Sequence, residues 1–372
     1  MKNLMIPALA LFLSAAAQAD DSPLWMRYCA ISPDGQTIAF SYQGDIYTVP
    51  SSGGKARQLT THPAHDTRPV WSPDGQRIAF ASNRSGNFDV FLMNKEGGEP
   101  KRLTTHSTNE YPTTFKDNGH ILYLANVLQD AKDIQFPGTR FMQVYEISTD
   151  GGRPDLYSSL YMENIALSKD GSKLLYNDYK GYEDPWRKHH QSSITRDIWL
   201  CTLGKDRSFQ KVTTFGGEDR NPVWAADGAS FYYLSEEKGS FNIFKKDLAG
   251  NSEKQITTHT THPVRFLTSD NSGTLCYSYD GEIYTVKEGQ KPAKVNIQIV
   301  ADKIENDVIY RLLTDGATDI AVSPNGKEVA FITRGDVYVT SIEYQTTRQI
   351  TNTPQQERNI CLLYTSPSPR DS

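Results

Sequence analysis

Histidines and acidic residues recur at short spacings in this chain, and both residue types can bind metal ions. His62 and His65, and again His259 and His262, form His-x-x-His pairs, a spacing seen in zinc sites. Their first histidines follow Leu/Ile-Thr-Thr sequences, so the pairs are partly products of repetition, and no third ligand recurs at a metal-like distance. Turns containing Asp could suggest calcium, but the acid-rich loops of calcium motifs are absent. The sequence therefore predicts no metal and no cofactor site.

Serine, histidine and aspartate are also the residue types of a hydrolytic triad. They all fall in repeated turns or in insertions, and a triad is recognised by a geometry that sequence does not supply. The chain contains no Gly-x-Ser-x-Gly elbow, no His-Glu-x-x-His and no phosphate-binding glycine loop. We therefore predict no catalytic residue in this chain.

Two insertions, Asn126 to Phe141 and Tyr179 to Arg196, interrupt an otherwise regular sequence. Long loops on a rigid scaffold commonly carry binding residues. The alternative is that both are solvated loops that shield a sheet edge. If they bind, the candidate contacts to a peptide or partner are Arg140, Trp186, Arg187, His189 and His190.

A sequence motif that recurs seven times predicts the strands and turns that would position these residues. It reads Ser32-Pro33-Asp34-Gly35, then Ile38-Ala39-Phe40, Gly44 and Asp45-Ile46-Tyr47, and the next copy begins at Ser72. A period of roughly 40 to 57 residues with strand-like segments between turns is typical of propellers. The turns centre near Asp34, Asp74, Asp117, Asp170, Asp227, Asn271 and Asn325.

Each copy is predicted to form one four-stranded antiparallel unit, and the fold to be all-β. In the second copy the predicted strands run from Pro69 to Ser72, Arg77 to Ser82, Asp89 to Met93 and Pro100 to Thr104. The third strand is apolar on both sides, which indicates a sheet packed between two neighbours. Cys201 and Cys276 align with small core residues of other copies.

Composition narrows the possible partners and the compartment. The formal charge of -5 and the absence of a Lys/Arg stripe argue against a nucleic-acid partner. Residues 1–19 combine Lys2, a short apolar stretch and Ala17-Gln18-Ala19, which predicts a secretory signal cleaved after Ala19. The alternative is an uncleaved anchor. With no other segment apolar enough to cross a bilayer, we expect an exported, periplasmic chain without a membrane span after cleavage.

The repeat resembles the propeller repeat that TolB and tricorn-type proteases share. The resemblance is carried by Leu-Thr-Thr-His, Pro-Val-Trp-Ser-Pro-Asp-Gly, Ile-Ala-Phe-Ala-Ser-Asn-Arg and Asp-Val-Phe. The stretch from Ala321 to Asn359 is similar to the start of the second propeller in secreted bacterial tricorn homologues. In that family a six-bladed propeller precedes a seven-bladed one, a PDZ-like domain and peptidase domains with a Ser nucleophile and its His partner.

The resemblance implies a parent serine peptidase whose propellers filter or guide peptides or unfolded polypeptide, and a homo-oligomeric parent is compatible with it. No catalytic residue of the family can be placed on this chain. We expect a signal peptide (1–19), a six-bladed propeller (20–300), a linker (301–316), the first blade of a truncated second propeller (317–360) and a foreign, adapter-derived tail (361–372). The competing architecture is a single seven-bladed ring.

Two other functions stay open at this point. A TolB-type periplasmic protein-binding propeller would need a closed ring and a partner surface. The propeller of a prolyl-oligopeptidase-like hydrolase would be followed by an α/β-hydrolase domain with a Gly-x-Ser-x-Gly elbow.

Overall fold

The computed structural model describes residues 23–127, 142–182, 191–249, 252–300, 314–344, 346–353 and 355–362. The chain divides into two compact units, residues 1–301 and 302–372. The strands of the first unit, in chain order, are β1 (Arg27–Ile31), β2 (Thr37–Tyr42), β3 (Asp45–Pro50), β4 (Gly54–Gln58), β5 (Asp66–Trp71), β6 (Arg77–Ser82), β7 (Asp89–Asn94), β8 (Lys101–Arg102), β9 (Glu110–Asp117), β10 (His120–Ala125), β11 (Gln143–Ser148), β12 (Asp155–Ser158), β13 (Glu163–Leu167), β14 (Lys173–Asn177), β15 (Ile198–Thr202), β16 (Ser208–Lys211), β17 (Asp219–Trp224), β18 (Ser230–Ser235), β19 (Asn242–Asp247), β20 (Glu253–Gln255), β21 (Arg265–Ser269), β22 (Thr274–Tyr279), β23 (Glu282–Lys287), β24 (Ala293–Lys294) and β25 (Ile297–Ile299).

The first unit is a six-bladed β-propeller, counted over the residues that the structure describes. Each set of four consecutive strands from β1 to β24 forms one antiparallel sheet. The innermost strands β1, β5, β9, β13, β17 and β21 each pack against the next, and β21 packs against β1. The ring is therefore closed without a seventh blade, and the predicted six-bladed fold is confirmed.

Two features close the ring between the sixth and the first blades. Strand β25 adds to the outer edge of the first sheet as a fifth strand, parallel to β4, with Ile297 opposite Gly54. At the inner edge, the backbone N–H of Met26 donates to the carbonyl of Gly281, 3.1 Å away. Segments from opposite ends of the unit thus hold the same two blades together.

The core consists of six apolar clusters, one between each pair of neighbouring blades. The cluster at the closure joins Cys29 and Phe40 of the first blade to Cys276 and Ile283 of the sixth. The next cluster joins Ala39 and Ile46 to blade two, and the other four follow round the ring. Because both faces of each sheet are covered, strands such as β6 and β18 are buried along almost their entire length.

Side-chain hydrogen bonds stabilise the repeated turns. In the first blade the Ser32 hydroxyl donates to Asp34 Oδ1 at 2.5 Å, and Asp34 Oδ1 accepts from the backbone N–H of Gln36 at 3.0 Å. These bonds favour the carboxylate and lower the pKa of Asp34. The copies at Asp74 and Asp170 repeat the arrangement, so these aspartates are structural turn residues.

The recurring Asp-Ile-Tyr and Leu-Thr-Thr sequences also meet in the fold. The Thr60 hydroxyl accepts from the backbone N–H of Ile46 at 2.9 Å and donates to Asp45 Oδ1 at 3.1 Å. In the fifth blade Thr257 bonds Ile243 and Asn242 in the same way. The motif therefore fixes the start of the third strand to the end of the fourth.

The second unit contains one more sheet of the same topology. Its strands are β26 (Ala317–Val322), β27 (Glu328–Thr333), β28 (Asp336–Ser341) and β29 (Thr347–Gln349), in that order across the sheet. Ser323 and Asn325 form the repeated turn, with 2.7 Å between Ser323 Oγ and Asn325 Oδ1. The unit is thus built as a blade.

Candidate functional site: the central channel

A cavity of about 1030 Å³ lies on the axis of the ring. Residues from all six inner strands line it, from Tyr28 of the first blade to Asn271 after the sixth. In a propeller the inner strands surround a central channel, which offers a binding site of defined width. We therefore take the channel as the candidate functional site.

A bulge in each inner strand determines which side chains reach the channel. The pairing between inner and second strands shifts register in every blade, for example between Thr67 and Val70. In five blades one bulge residue adopts a left-handed backbone conformation, with φ between 50° and 58°; these residues are Tyr28, Arg68, Asn164, Asn221 and Phe266. Such conformations are costly for side-chain-bearing residues and concentrate at functional positions.

One side of the channel is aromatic and carries a guanidinium group. The rings of Tyr28 and Phe266 lie with their centroids 4.6 Å apart. The guanidinium carbon of Arg68 lies 5.3 Å from the centroid of Tyr28 and 4.4 Å from that of Tyr111. These distances are within cation–π range, so the rings hold the Arg68 side chain against the channel wall.

The opposite side presents amides in fixed orientations. Asn177 is fully buried, and its Oδ1 accepts from Asn164 Nδ2 at 3.1 Å and from the backbone N–H of Asn221 at 2.8 Å. The Asn221 Nδ2 in turn donates to the carbonyl of Leu267, 3.0 Å away. The left-handed backbone at both channel asparagines is therefore held by a shared buried partner.

A buried ion-pair network connects the fourth and fifth blades beside the channel. Arg196 donates to Glu163 Oε2 at 2.5 Å and lies 3.4 Å from Glu218 Oε1. The Tyr161 hydroxyl donates to Glu163 Oε1 at 3.0 Å. Burial, together with the neighbouring Glu163 charge, raises the pKa of Tyr161. Tyr161 is therefore a neutral donor that helps to hold Glu163 in place.

None of the predicted contacts in the insertions falls within the residues that the structure describes. Arg140, Trp186, Arg187, His189 and His190 lie outside the described residues. The two described ends of the second insertion do reach the channel region, because Arg196 lines the cavity and the ring of Tyr179 lies tilted against that of Tyr161, a cavity-lining residue, with 4.4 Å between ring centroids.

The channel residues at the bulges were not among the sequence candidates. A signal for them exists in the repeat: Tyr28, Arg68 and Asn164 each stand four residues before the serine of the recurring turn. At this position the repeat varies in residue type, while the turn beside it keeps its final Gly in every copy.

The fold and the channel define the chain as a β-propeller, and comparison with known proteins gives the family. The model of the tricorn protease N-terminal beta propeller domain matches residues 23–292. The chain belongs to this family.

Individual relatives agree with this family assignment. A tricorn protease homolog of Saccharolobus solfataricus is 22% identical over 323 residues, which cover 84% of this chain and 28% of that protein. The tricorn protease of Thermoplasma acidophilum is 23% identical over 333 residues, covering 86% of this chain and 29% of the relative. The chain thus spans less than a third of the length of these relatives.

Solved structures show the same fold. A crystal structure of the tricorn protease superposes on 90% of this chain with a TM-score of 0.66 and 21% identity, covering 32% of the solved chain. A puromycin hydrolase S511A mutant complexed with PGG covers 89% of this chain and 54% of its own, with a TM-score of 0.50 and 12% identity. Within the described residues, no helix has the length and apolar character that a membrane span requires.

Proposed function

We propose that this chain is the non-catalytic propeller portion of an exported tricorn-like serine peptidase, and that its channel filters or guides peptides toward a catalytic region that the chain does not contain. The observation that carries the proposal is the axial cavity, lined by side chains from all six blades in a member of the tricorn propeller family. A channel whose wall combines aromatic rings and fixed amides suits an extended peptide, because rings contact apolar side chains and amides bond its backbone.

The second unit supports a longer parent protein. Ile320 and Val322 are 62% and 59% exposed, whereas the matching residues of the first blade, Cys29 and Ile31, are 2% and 4% exposed. In a ring these positions face a neighbouring sheet. We therefore propose that residues 317–360 are the first blade of a second propeller, joined to the first by 301–316.

Photo-crosslinking tests the role of the channel. An unstructured peptide carrying a photoreactive group is irradiated with the purified chain, and mass spectrometry locates the adducts. The proposal expects adducts on inner-strand residues such as Tyr28, Tyr111 and Phe266. Adducts confined to the outer strands would contradict it and would favour a protein-binding surface of the TolB type.

Export and the absence of catalysis have their own tests. Expression of the full-length chain with its first 19 residues should place it in the periplasm with an amino terminus at Asp20, as amino-terminal sequencing would report. A cytoplasmic chain that retains Met1 would refute export.

The purified chain should leave unstructured peptides intact, and turnover inhibited by a serine-directed reagent would refute the non-catalytic role.

A further inference from the structure

The backbone conformation at Arg68, in the channel, is energetically unfavourable, so the surrounding fold has to stabilise it. It lies at the bulge of β5 with φ of 55°, a conformation in which a long side chain is disfavoured. The next residue, Pro69, is buried, and its missing N–H fits a bulge where no ladder bond is made. The strand therefore presents Arg68 to the channel, where it is half-buried.

The charge of Arg68 has no counter-ion in the part of the chain that the structure describes. The acid closest in sequence, Asp66, is buried and bonds the Arg84 guanidinium at 2.8 Å. Across the channel Glu163 bonds Arg196. The contacts of Arg68 that the structure does show are with the rings of Tyr28 and Tyr111, which attract the cation but accept no hydrogen bond in the plane of the guanidinium.

Basic residues outnumber acidic ones along the channel wall, although three of the basic residues are themselves paired with acids: Arg196 with Glu163, Arg220 with Glu218 and Lys116 with Glu146. Among the described residues that line the cavity, six are Lys or Arg and three are Asp or Glu, although the whole chain carries a formal charge of -5. The three acids are Glu163, Asp117 and Asp270. Glu163 is paired with Arg196, Asp117 bonds His120, and Asp270 bonds Ser272 within its own turn. Clefts of one sign concentrate ligands of the opposite sign.

We propose that Arg68, positioned by Tyr28 and Tyr111, binds a carboxylate group of a peptide in the channel. A planar guanidinium matches a carboxylate through two parallel hydrogen bonds, a geometry that lysine does not reproduce. The carboxylate can belong to an Asp or Glu side chain or to the peptide's free carboxyl terminus. The inference rests on the proposed peptide-guiding role and gives it a preferred substrate class, peptides that carry negative charge.

Fluorescence anisotropy with dye-labelled peptides of equal length tests this on the full chain. One pair, capped at both ends, differs only by Glu or Gln at the centre. A second pair, without acidic side chains, differs only by a free or an amidated carboxyl terminus. The variants are Arg68→Gln, Arg68→Lys and Tyr28→Leu. The control is Arg57→Gln, which removes the same charge from an exposed outer strand where Arg57 pairs with Glu96.

The proposal expects the chain to bind at least one carboxylate peptide roughly tenfold more tightly than its neutral partner, since hydrogen bonds to charged groups commonly contribute this much. Arg68→Gln should remove the preference and Arg68→Lys should keep only part of it. Tyr28→Leu should weaken it, and Arg57→Gln should leave it intact. The pair that shows the preference identifies the source of the carboxylate.

Two outcomes would overturn the inference and are distinguishable. If every peptide binds but neither pair differs, or if the preference survives Arg68→Gln, the peptide-guiding role stands and the carboxylate site is wrong. If no peptide binds at all, the proposed function fails together with the site. Thermal unfolding of each variant, compared with Arg57→Gln, reports whether the fold is intact.

Discussion

The backbone N–H of Gly54 donates to the carbonyl of Asn296, 2.8 Å away, and this bond joins the first blade to the end of the sixth. The next three residues form β25 against β4, so the ring is closed by a short parallel pair and by the packing beneath it. Ile297 is 5% exposed and belongs to the same apolar cluster as Phe40 and Cys276. The closure is therefore a place where single substitutions should affect the whole ring.

Replacing Ile297 with Ala should lower the free energy of unfolding by about 2–5 kcal/mol, because it removes a buried side chain at the ring closure. Urea unfolding followed by tryptophan fluorescence measures the change. The matched control is Gln298→Ala, on the same strand but exposed, which should change stability by less than about 0.5 kcal/mol. Equal effects of the two substitutions would show that β25 does not close the ring.

Gly53→Ala should destabilise the ring because the added Cβ would collide with the segment that closes it. Gly53 has φ of 89°, and a Cβ there would lie 2.7 Å from the carbonyl oxygen of Asn296. Gly97 has the corresponding place in the second blade, with φ of 80° and a nearest atom at 3.4 Å. Gly97→Ala therefore carries the backbone strain with much less steric conflict. Gly53→Ala should lower the melting temperature further than Gly97→Ala, and the reverse order would contradict the closure geometry.

Thr257→Val should destabilise the fifth blade by about 1–3 kcal/mol, because it leaves the buried N–H of Ile243 without its acceptor and removes one of the two donors to Asn242 Oδ1. Amide hydrogen exchange at Ile243 should become faster. Thr274→Val, at a partly exposed strand position, is the comparison. Unchanged exchange at Ile243 would show that the repeated Thr is not required to hold the third and fourth strands together.

The stability of the chain should fall as the pH rises from about 4.5 to about 7, partly because of Glu110. Burial is the main cause that raises the pKa of Glu110 from 4.5 to about 7, and the nearby Asp89 carboxylate adds to it. The folded state binds a proton more tightly than the unfolded state, so this stabilisation is complete below pH 4.5 and is lost as the pH rises through 7.

Glu110→Gln should therefore flatten the dependence of unfolding free energy on pH over that interval, while exposed Glu99→Gln should not. Urea unfolding at a series of pH values measures both. Asp219, whose pKa burial also raises to about 7, should leave a residual slope in the Glu110 variant. A slope identical to that of the unmodified chain would show that Glu110 does not titrate in this range.

Turns and central strands could be predicted from the sequence because their chemistry is local. The turn at Ser32 to Gly35 requires residues that bond their own backbone, and β6 was predicted with the observed bounds, Arg77–Ser82. The inner strand before it was predicted to begin at Pro69 but begins at Asp66. Pro69 and the left-handed Arg68 form a bulge that a pattern of alternating residues does not reveal.

The candidate site was harder to predict for a related reason. Insertions are visible in a sequence because they interrupt the repeat, and this drew attention to Arg140 and to the region of Trp186. The channel residues lie within the repeat and share no residue type, since Tyr28, Arg68 and Asn164 occupy one position in the bulges of the first, second and fourth blades. Their common property is a backbone conformation, which becomes apparent only when the blades are assembled.

The position of β25 at the end of the first unit's sequence has a consequence for synthesis of the chain. The first blade leaves the ribosome before the others, yet the outer edge of β4 obtains its parallel partner only after Ile299 has been translated. Until then an open strand edge and the apolar face around Phe40 are exposed on the nascent chain, a state in which strands pair with the wrong neighbours. A ring that is joined at its two ends can therefore complete its first blade only after its last segment has been made.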